Sequence, residues 1–442
     1  MKNLIVGQSG GPTSVINASL AGVYEEAKRL GYDHVYGMIN GIEGLLEENI
    51  VDLDKYLADK RNIELLKRTP SSYLQTCRFK LGTYVDHPDI YEKIFDILDK
   101  YDIDSFIYIG GNDSMDTVEN LSDYAIINKR RQNFIGVPKT IDNDLPITDH
   151  CPGFGSAAKY IATSIREIVR DSVCYGVKHS TVAIVEVMGR HAGWLTASAA
   201  LAKSDDCEGV DAIFLPEVPL DLDKFVDKVK NLAKKKPAIV IVVSEGIKTT
   251  TGEFVCEMGK DDVGVDAFGH KQLNGCADVL ANLIKEKTGL KTRPIILSSL
   301  QRAAAHVASL TDVREAEKVG KHGAKLAFNG ETGKMVIMKR VSNNPYKIKY
   351  SSFNNIHDIA NLEKKVPLEW IDQENNYVKD DLIDYIRPLI MGEVKQYYKD
   401  GVPEHLIRKD WLFCNYHILR WYLWKRKLLF LIFFSWYVNL LD

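Results

Sequence analysis

The sequence predicts an α/β fold in which mostly parallel sheets are covered by helices on both faces. Apolar runs of strand length alternate along the chain with helical patterns. This alternation is typical of βαβ units, whose parallel sheets are buried on both faces. The predicted strands are 3–7, 104–109, 133–137, 181–187, 211–215, 238–244 and 294–298. The predicted helices include 88–100, 156–172, 221–235 and 273–287.

Composition narrows the class of protein without identifying it. The chain has 442 residues, of which 45% are hydrophobic, enough for two domains with substantial cores. Its 57 basic and 60 acidic side chains give a net charge of −3, which excludes a broad nucleic-acid-binding surface. The seven cysteines show no metal-binding spacing, so we expect reduced thiols and a cytoplasmic location. A predicted strand follows the first residues directly, so we expect no signal peptide.

Two glycine-rich turns each follow an apolar strand and precede a helical pattern. The first spans 8–14 and contains Gly10 and Gly11, and the second spans 110–114. A strand, a glycine turn and a helix N-terminus together direct backbone N–H groups toward an anion. Neither turn matches the Walker pattern, and such turns also need glycine for packing alone. Each turn by itself leaves both interpretations open.

A third strand end places one ammonium and two carboxylates within six residues, namely Lys139, Asp142 and Asp144. Asp142 can take the proton of a hydroxyl that attacks phosphorus. Lys139, with a Mg²⁺ ion near Asp144, can stabilise the transferring charge. The alternative is a solvated loop. Because open parallel sheets bind ligands at the carboxyl ends of their strands, the three strand ends together predict one phosphate-handling site.

In combination, five motifs resemble the 6-phosphofructokinase family, over roughly the first 350 to 400 residues. They are Gly10-Gly11, 110–114, 138–144, 186–190 and Gln301-Arg302. The family phosphorylates the 1-hydroxyl of fructose 6-phosphate in glycolysis or gluconeogenesis. The resemblance implies two similar three-layer α/β/α domains with the active site in the cleft between them. The implied donor-binding domain is 1–154 plus about 303–350, the fructose 6-phosphate-binding domain is 155–302, and a C-terminal helical extension follows over 351–410.

The family divides into ATP-dependent and pyrophosphate-dependent enzymes, and two residues favour pyrophosphate as the donor here. ATP-dependent members usually have glycine at the positions of Asp113 and Lys139. The Asp113 carboxylate would repel an α-phosphate while leaving room for a two-phosphate donor. The alternatives are that Asp113 is a helix N-cap and that Lys139 faces solvent. By resemblance, the catalytic residues are Asp142, Lys139 and Asp113, and the donor-binding residues are Gly10, Gly11, Arg78, Asn112 and Ser114.

The resemblance also implies which residues bind the acceptor, fructose 6-phosphate. Asp142 is the expected proton acceptor, and the guanidinium groups of Arg293 and Arg302 suit recognition of the 6-phosphate. The full set of expected substrate-binding residues is Thr140, Ile141, Asp142, Met188, Gly189, Arg190, Glu245, Arg293, Ser299 and Arg302. Asn112 stands where many members have aspartate, so we expect Mg²⁺ at Asn112 and Asp144 together with pyrophosphate oxygens.

Several alternatives stay open at this point. The chain can be ATP-dependent, can accept sedoheptulose 7-phosphate as well, or can be a non-catalytic regulatory subunit, which the presence of Asp142 disfavours. The family suggests a homodimer or homotetramer. Thr181 stands where bacterial ATP-dependent enzymes have an arginine that reaches a neighbouring subunit, which leaves the details of the interface open.

The last residues, 411–442, differ from the rest of the chain. They contain four of the six tryptophans, a basic cluster at 425–427 and an apolar run at 428–438. The run is shorter than the roughly 18 to 20 residues that span a bilayer, so no membrane partner is expected. A non-native extension, such as a shifted reading frame, ranks first, and an interfacial anchor is the alternative.

Overall fold

The computed structural model describes residues 2–174, 180–258, 275–353, 356 and 362–408. Residues 1–404 form one compact unit. Residues 405–442 form a second unit, of which 405–408 are described, so the predicted atypical tail 411–442 lies outside the described residues. No described helix combines the length and the apolar character needed to cross a bilayer.

The strands described in the first unit form two main sheets and two small hairpins. In chain order they are β1 (Asn3–Gln8), β2 (His34–Met38), β3 (Ile50–Asp52), β4 (Ile103–Gly110), β5 (Asn133–Pro138), β6 (Thr181–Val187), β7 (Ala212–Phe214), β8 (Ala238–Ser244), β9 (Lys291–Ile296), β10 (Lys334–Asn343), β11 (Tyr346–Phe353), β12 (Ile371–Asp372), β13 (Tyr377–Val378), β14 (Tyr398–Lys399) and β15 (Val402–Pro403).

Within the described residues, the larger sheet has seven strands in the order β11-β10-β5-β4-β1-β2-β3. Its five central strands are parallel, and β11 and β3 are antiparallel at the two edges. The smaller sheet has the order β7-β8-β6-β9 and is parallel throughout. The predicted α/β fold with mostly parallel sheets is therefore confirmed.

Helices cover these sheets, and several begin at the residues that favour helix starts. Pro88 opens its helix, while Asp59, Asp221 and Ser309 each accept a backbone N–H as an N-cap. The helices are α1 (Ile16–Leu30), α2 (Gly41–Leu46), α3 (Asp54–Leu57), α4 (Lys60–Leu66), α5 (Pro88–Lys100), α6 (Asn112–Ile127), α7 (Phe154–Val173), α8 (Trp194–Ala197), α9 (Leu222–Ala233), α10 (Cys276–Thr288), α11 (Leu300–Ala303), α12 (Leu310–Phe328) and α13 (Asp380–Ile386). Short 3-10 helices lie at Ser198–Ala202, Val255–Glu257, Ala305–Val307, Leu368–Trp370 and Arg387–Ile390.

The chain returns to the larger sheet after it has completed the smaller one. Helix α12 packs against α1, and β10 then pairs with β5 in parallel. The two helices approach closely because Gly22 and Gly320 lie at their contact, where an added Cβ would stand about 2 Å from a backbone oxygen.

One predicted strand and one predicted segment differ from the structure. The strand predicted at 294–298 is found at Lys291–Ile296, because β9 is an edge strand whose polar first half needs no burial. The segment 351–410, predicted to be helical, contains in its described part the seven-residue α13, two short 3-10 helices, the end of β11 and two-residue strands. Prolines at positions 367, 388 and 403 interrupt any longer helix there.

Candidate active site

A pocket of about 600 Å³ lies where the loops after β1, β4 and β5 face the loops after β6 and β8. These are the carboxyl ends of parallel strands, where open α/β sheets bind ligands. The pocket brings together most of the residues predicted from the sequence. They are Gly10, Gly11, Arg78, Asn112, Asp113, Ser114, Lys139, Thr140, Ile141, Asp142, Asp144, Met188, Arg190, Glu245 and Arg302.

The first glycine turn forms one wall of the pocket. Gly10 has a φ of 72°, a left-handed conformation that glycine adopts without strain. Its carbonyl accepts a hydrogen bond from Thr76 Oγ1 at 2.7 Å, and its N–H donates to Cys77 O at 3.5 Å. These bonds hold the segment that carries Arg78 against the turn. A Cβ at Gly10 would stand 3.3 Å from Lys139 Nζ, so glycine leaves room for that ammonium.

The second glycine turn leads into α6, whose first residues line the pocket. Gly111 is the N-cap and makes no side-chain cap bond, so the alternative interpretation of Asp113 as the N-cap is wrong. Asp113 is the second residue of the helix and is exposed at the pocket. The first N–H groups of a helix lack intrahelical partners and favour anions. This wall therefore combines N–H groups of the kind that favour an anion with one exposed carboxylate.

Lys139 is the buried cation of the site. Its side chain is 2% exposed, and Nζ donates to Gly11 O at 2.7 Å. Burial lowers the pKa of Lys139 to about 8, although the carboxylates of Asp142 and Asp144 oppose the shift. The interpretation of Lys139 as a solvent-facing charge is therefore wrong. The ammonium connects the first glycine turn with the loop after β5.

The two carboxylates of that loop lie close enough to influence each other. Burial raises the pKa of Asp142, and the neighbouring Asp144 raises it further, while Lys139 and Arg190 lower it. The backbone N–H of Asp142 donates to Thr140 Oγ1 at 3.0 Å, which orients the loop. A carboxylate with a raised pKa is suited to accept a proton near neutral pH.

The opposite wall follows β6 and β8 and carries Glu245. Burial raises the pKa of Glu245 to about 7, and its Oε1 accepts the Gly189 N–H at 3.3 Å. Arg302 lies half-buried near this carboxylate, and burial together with the nearby Arg78 lowers the pKa of Arg302. Two guanidinium groups so close together favour a multiply charged anion between them. The site thus offers cations for phosphate and carboxylates for hydroxyl groups.

Comparison with known proteins decides the family. Residues 3–326 match the family model described as Phosphofructokinase. The chain belongs to the phosphofructokinase family. It is 40% identical over 409 residues to the pyrophosphate--fructose 6-phosphate 1-phosphotransferase of Methylococcus capsulatus, covering 92% of this chain and 95% of that one. The protein of the same name from Xanthomonas campestris is also 40% identical, over 92% of this chain and 96% of its own length.

A solved structure supports the same family assignment. The crystal structure of the pyrophosphate-dependent phosphofructokinase from Nitrosospira multiformis superposes with a TM-score of 0.83 and 37% sequence identity. The match covers 92% of this chain and 96% of that chain.

Three residues of this phosphofructokinase that were predicted to bind substrate lie outside the pocket lining. Gly189 contributes its N–H to Glu245. Arg293 projects from the edge strand β9, where its Nη1 lies 2.8 Å from Asp171 and its side chain is 49% exposed. Ser299 is the residue before α11, and the structure does not bring it to the pocket. The expectation that Arg293 and Ser299 contact substrate in this pocket is not supported, because the pocket lies at other loops.

Several residues of the pocket were not among the predicted site residues. They are Ser9, Pro12, Phe79, Gly111, His191, Ala192 and Glu363. Ser9, Pro12 and Gly111 lie within the two glycine turns, whereas Phe79, His191 and Ala192 lie one or two positions beyond a predicted residue. Glu363 lies far from every motif of the phosphofructokinase pattern, and its carboxylate Oε1 is 2.7 Å from His191 Nδ1. No sequence signal pointed to it.

The metal-binding residues expected for a phosphofructokinase can be tested against their surroundings. Asn112 Nδ2 donates to Leu362 O at 2.9 Å, whereas Asn112 Oδ1 is buried without a hydrogen-bond partner among the described residues. Asp144 lines the same pocket, and burial raises the pKa of its carboxyl. Magnesium commonly takes one or two protein oxygens and completes its shell with phosphate oxygens and water. The two residues fit a magnesium ion held partly by the donor.

Proposed function

We propose that this chain transfers a phosphoryl group from pyrophosphate to the 1-hydroxyl of fructose 6-phosphate, reversibly, giving fructose 1,6-bisphosphate and phosphate. The observation that carries the proposal is the buried Lys139 beside Asp142 in a pocket that also contains Asp113. The names of the relatives at 40% identity support the same donor.

In the proposed reaction Asp142 accepts the proton of the attacking 1-hydroxyl. Its burial favours proton uptake, and the Thr140 hydroxyl keeps its loop oriented. Thr140 and Ile141 line the same part of the pocket and position the hydroxyl. Lys139 stabilises negative charge on the transferring phosphoryl group, and its burial strengthens that effect because little water screens it.

The donor lies, in this proposal, between the two glycine turns. Gly10 and Gly11 allow close approach of the backbone, and Arg78 neutralises phosphate charge. Asp113 repels any phosphate beyond the second, which disfavours ATP. Asn112 and Ser114 complete this wall.

The sugar phosphate lies against the loops after β6 and β8. We assign Met188, Arg190 and Glu245 to the fructose ring, with Glu245 accepting hydrogen bonds from sugar hydroxyls. Arg302 binds the 6-phosphate through charge-assisted hydrogen bonds.

Magnesium is part of the proposal as a bound cofactor. Asp144 and Asn112 Oδ1 would hold it, and it would supply positive charge that offsets the negative charge of the donor. We further propose that 1–154 with about 303–350 binds the donor and 155–302 the acceptor, and that the enzyme is a cytoplasmic homodimer or homotetramer.

A comparison of donors tests the proposed function. With fructose 6-phosphate and Mg²⁺, we expect turnover with pyrophosphate and little or none with ATP at matched concentration. Asp113→Gly should gain ATP-dependent turnover, because the repelling carboxylate is gone, and Asp113→Asn separates the effect of charge from that of size. Preference of the unaltered enzyme for ATP would contradict the assignment of the donor. Silence with both donors would favour a non-catalytic subunit.

A further inference from the structure

Residues 362–366, here named the strap, run along the pocket and bond to loops from both sheets. No motif in the sequence includes the strap, although Glu363 lines the pocket. Three hydrogen bonds of its main chain join it to the start of α6 and to the loops after β5 and β7. They run from Asn112 Nδ2 to Leu362 O (2.9 Å), from Lys364 N to Asp144 O (2.7 Å) and from Val366 N to Glu217 Oε1 (2.9 Å). The strap thus contacts the N-terminus of α6, a loop of the smaller sheet and the loop 139–153 after β5, here named the catalytic loop.

The ammonium of Lys364 binds the far end of the catalytic loop. Lys364 Nζ donates to Asp149 O at 2.8 Å, to Thr148 O at 3.2 Å and to Asn143 Oδ1 at 3.5 Å. All three acceptors are neutral oxygens of the segment 143–149, which follows Asp142 directly. One side chain therefore gathers both ends of this segment around a single cation.

The segment needs such support because its backbone is not in a relaxed conformation. Asn143 has a φ of 56° and Ile147 a φ of 71°, both in the left-handed region. Asparagine adopts this conformation readily, whereas the β-branched Ile147 is strained there. Tyr385 adds a second contact, since its hydroxyl accepts the Asn143 Nδ2 donor at 3.0 Å and donates to Asp149 O. Left-handed residues other than glycine persist where surrounding contacts hold them.

We propose that Lys364 is a positioning residue for phosphoryl transfer. By holding the segment 143–149 through three oxygens, it fixes the carboxylates of Asp142 and Asp144 relative to the buried Lys139 ammonium. The proposal rests on the proposed transfer from pyrophosphate. A displacement of about 1 Å of a reacting group costs about 100-fold in rate, so loosening this segment lowers turnover more than substrate binding.

Steady-state kinetics of the full chain test the proposal, with the unaltered enzyme assayed first. Inactivity of the unaltered enzyme would refute the proposed function and, with it, the positioning role of Lys364. Given activity, Lys364→Ala should lower kcat by about 100-fold while KM for fructose 6-phosphate changes by less than about threefold. Lys365→Ala is the matched control, because this exposed neighbour makes none of the three contacts. Equal kcat in both variants, or a rise in KM alone, would overturn the proposal.

Chemical rescue separates positioning from general stability. The atoms removed in Lys364→Ala correspond to n-propylammonium, so adding this cation should restore part of the lost kcat, whereas n-propanol at the same concentration should not. The thermal unfolding midpoint is measured alongside. Recovery of the midpoint without recovery of kcat would show a purely structural role and overturn the assignment.

Tyr385→Phe provides an independent variant should Lys364→Ala fail to fold. It removes only the hydroxyl that contacts Asn143 and Asp149, and the ring remains packed against Trp194 and Trp370. We expect kcat to fall by about tenfold with KM unchanged. Unchanged kcat in this variant would overturn the proposal that the segment 143–149 is held from outside.

Discussion

The ammonium of Lys139 is buried within a pocket that contains five carboxylates, those of Asp113, Asp142, Asp144, Glu245 and Glu363. Burial by itself destabilises a charge, and the lowered pKa of Lys139 records that cost. The carboxylates of Asp142 and Asp144 offset part of this cost, and Gly11 O accepts a hydrogen bond from the ammonium. The charge is thus already placed and desolvated before substrate arrives, which is the condition under which it stabilises a transition state most.

Substitution of the proposed base, Asp142, tests whether its carboxylate accepts the proton during turnover. Asp142→Asn keeps the size of the side chain but removes its ability to accept a proton, so kcat should fall by about 10²- to 10⁴-fold with pyrophosphate. Asp116→Asn serves as the control, because Asp116 lies on α6 outside the pocket lining and should leave kcat unchanged. Retention of most activity by Asp142→Asn would assign the base to another group.

Site residues at strand ends were predictable because charged side chains there directly follow an apolar strand. Lys139, Asp142 and Asp144 follow an apolar strand so closely that topology places them at a ligand-binding edge. Glu363 could not be predicted, since its approach to the pocket depends on the tertiary path of a segment without any motif. Arg293 shows the opposite limit, because a residue carried over from a family resemblance need not project from an edge strand into the pocket.

At the scale of elements, the contact between α1 and α12 links the start of the chain to its return. Gly22 lies against Glu317 O and Gly320 against Ser19 O. Backbone oxygens cannot move aside as a flexible side chain can, so the two helices tolerate no side chain at these positions.

Gly320→Ala should therefore destabilise the fold even though alanine is the better helix former. The added Cβ would lie 2.1 Å from Ser19 O, and relieving this overlap costs about 1–3 kcal/mol, more than the gain of about 1 kcal/mol in helix propensity. The measurement is the urea midpoint, with Arg314→Ala at an exposed position of α12 as the control. A midpoint equal to or above that of the unaltered protein would show that α1 shifts at no cost.

Prediction of strands succeeded where the strands are completely buried and failed where they are partly exposed. Strands β1 and β8 are buried at every residue, so their apolar runs were visible. Strands β10 and β11 alternate buried or half-buried and exposed residues over part of their length and were not predicted, and β9 was displaced toward its apolar half. Partly exposed strands, whether at a sheet edge like β9 and β11 or inside the sheet like β10, carry polar residues that resemble loops, which explains these differences.

At the scale of the whole molecule, His150 connects the catalytic loop with α12 and, through Asp149, with β10. Its ring nitrogens lie 2.7 Å from Asp149 Oδ2 and 2.7 Å from Glu315 Oε2, and Arg340 donates to the same Asp149 oxygen. Burial lowers the pKa of His150, but Glu315 and Asp149 outweigh burial and raise it to about 9. The histidine is therefore protonated in the folded protein at neutral pH.

This protonation makes stability depend on pH in a defined direction. A histidine whose pKa is raised on folding stabilises the folded state fully below its unfolded pKa of about 6.5 and loses that contribution as pH rises through the folded value of about 9. We expect the urea midpoint to fall between about pH 6.5 and pH 9. His150→Gln should lower the free energy of unfolding at pH 6.5 by about 2–3 kcal/mol, and the urea midpoint with it. The substitution should also flatten the decrease of the midpoint between about pH 6.5 and pH 9. Parallel pH profiles for the two proteins would contradict the role of His150.

The strap also bears on where the enzyme can be shortened. The family model ends at residue 326, whereas the strap begins 36 positions later, at Leu362, after the chain has crossed β10 and β11. A chain cut at the family boundary would keep every motif of the sequence and still lose the carboxylate of Glu363 from its pocket and the Lys364 ammonium that binds the loop after Asp142. Engineered fusions that keep only the matched region would therefore contain the residues proposed for phosphoryl transfer but not the strap that aligns them.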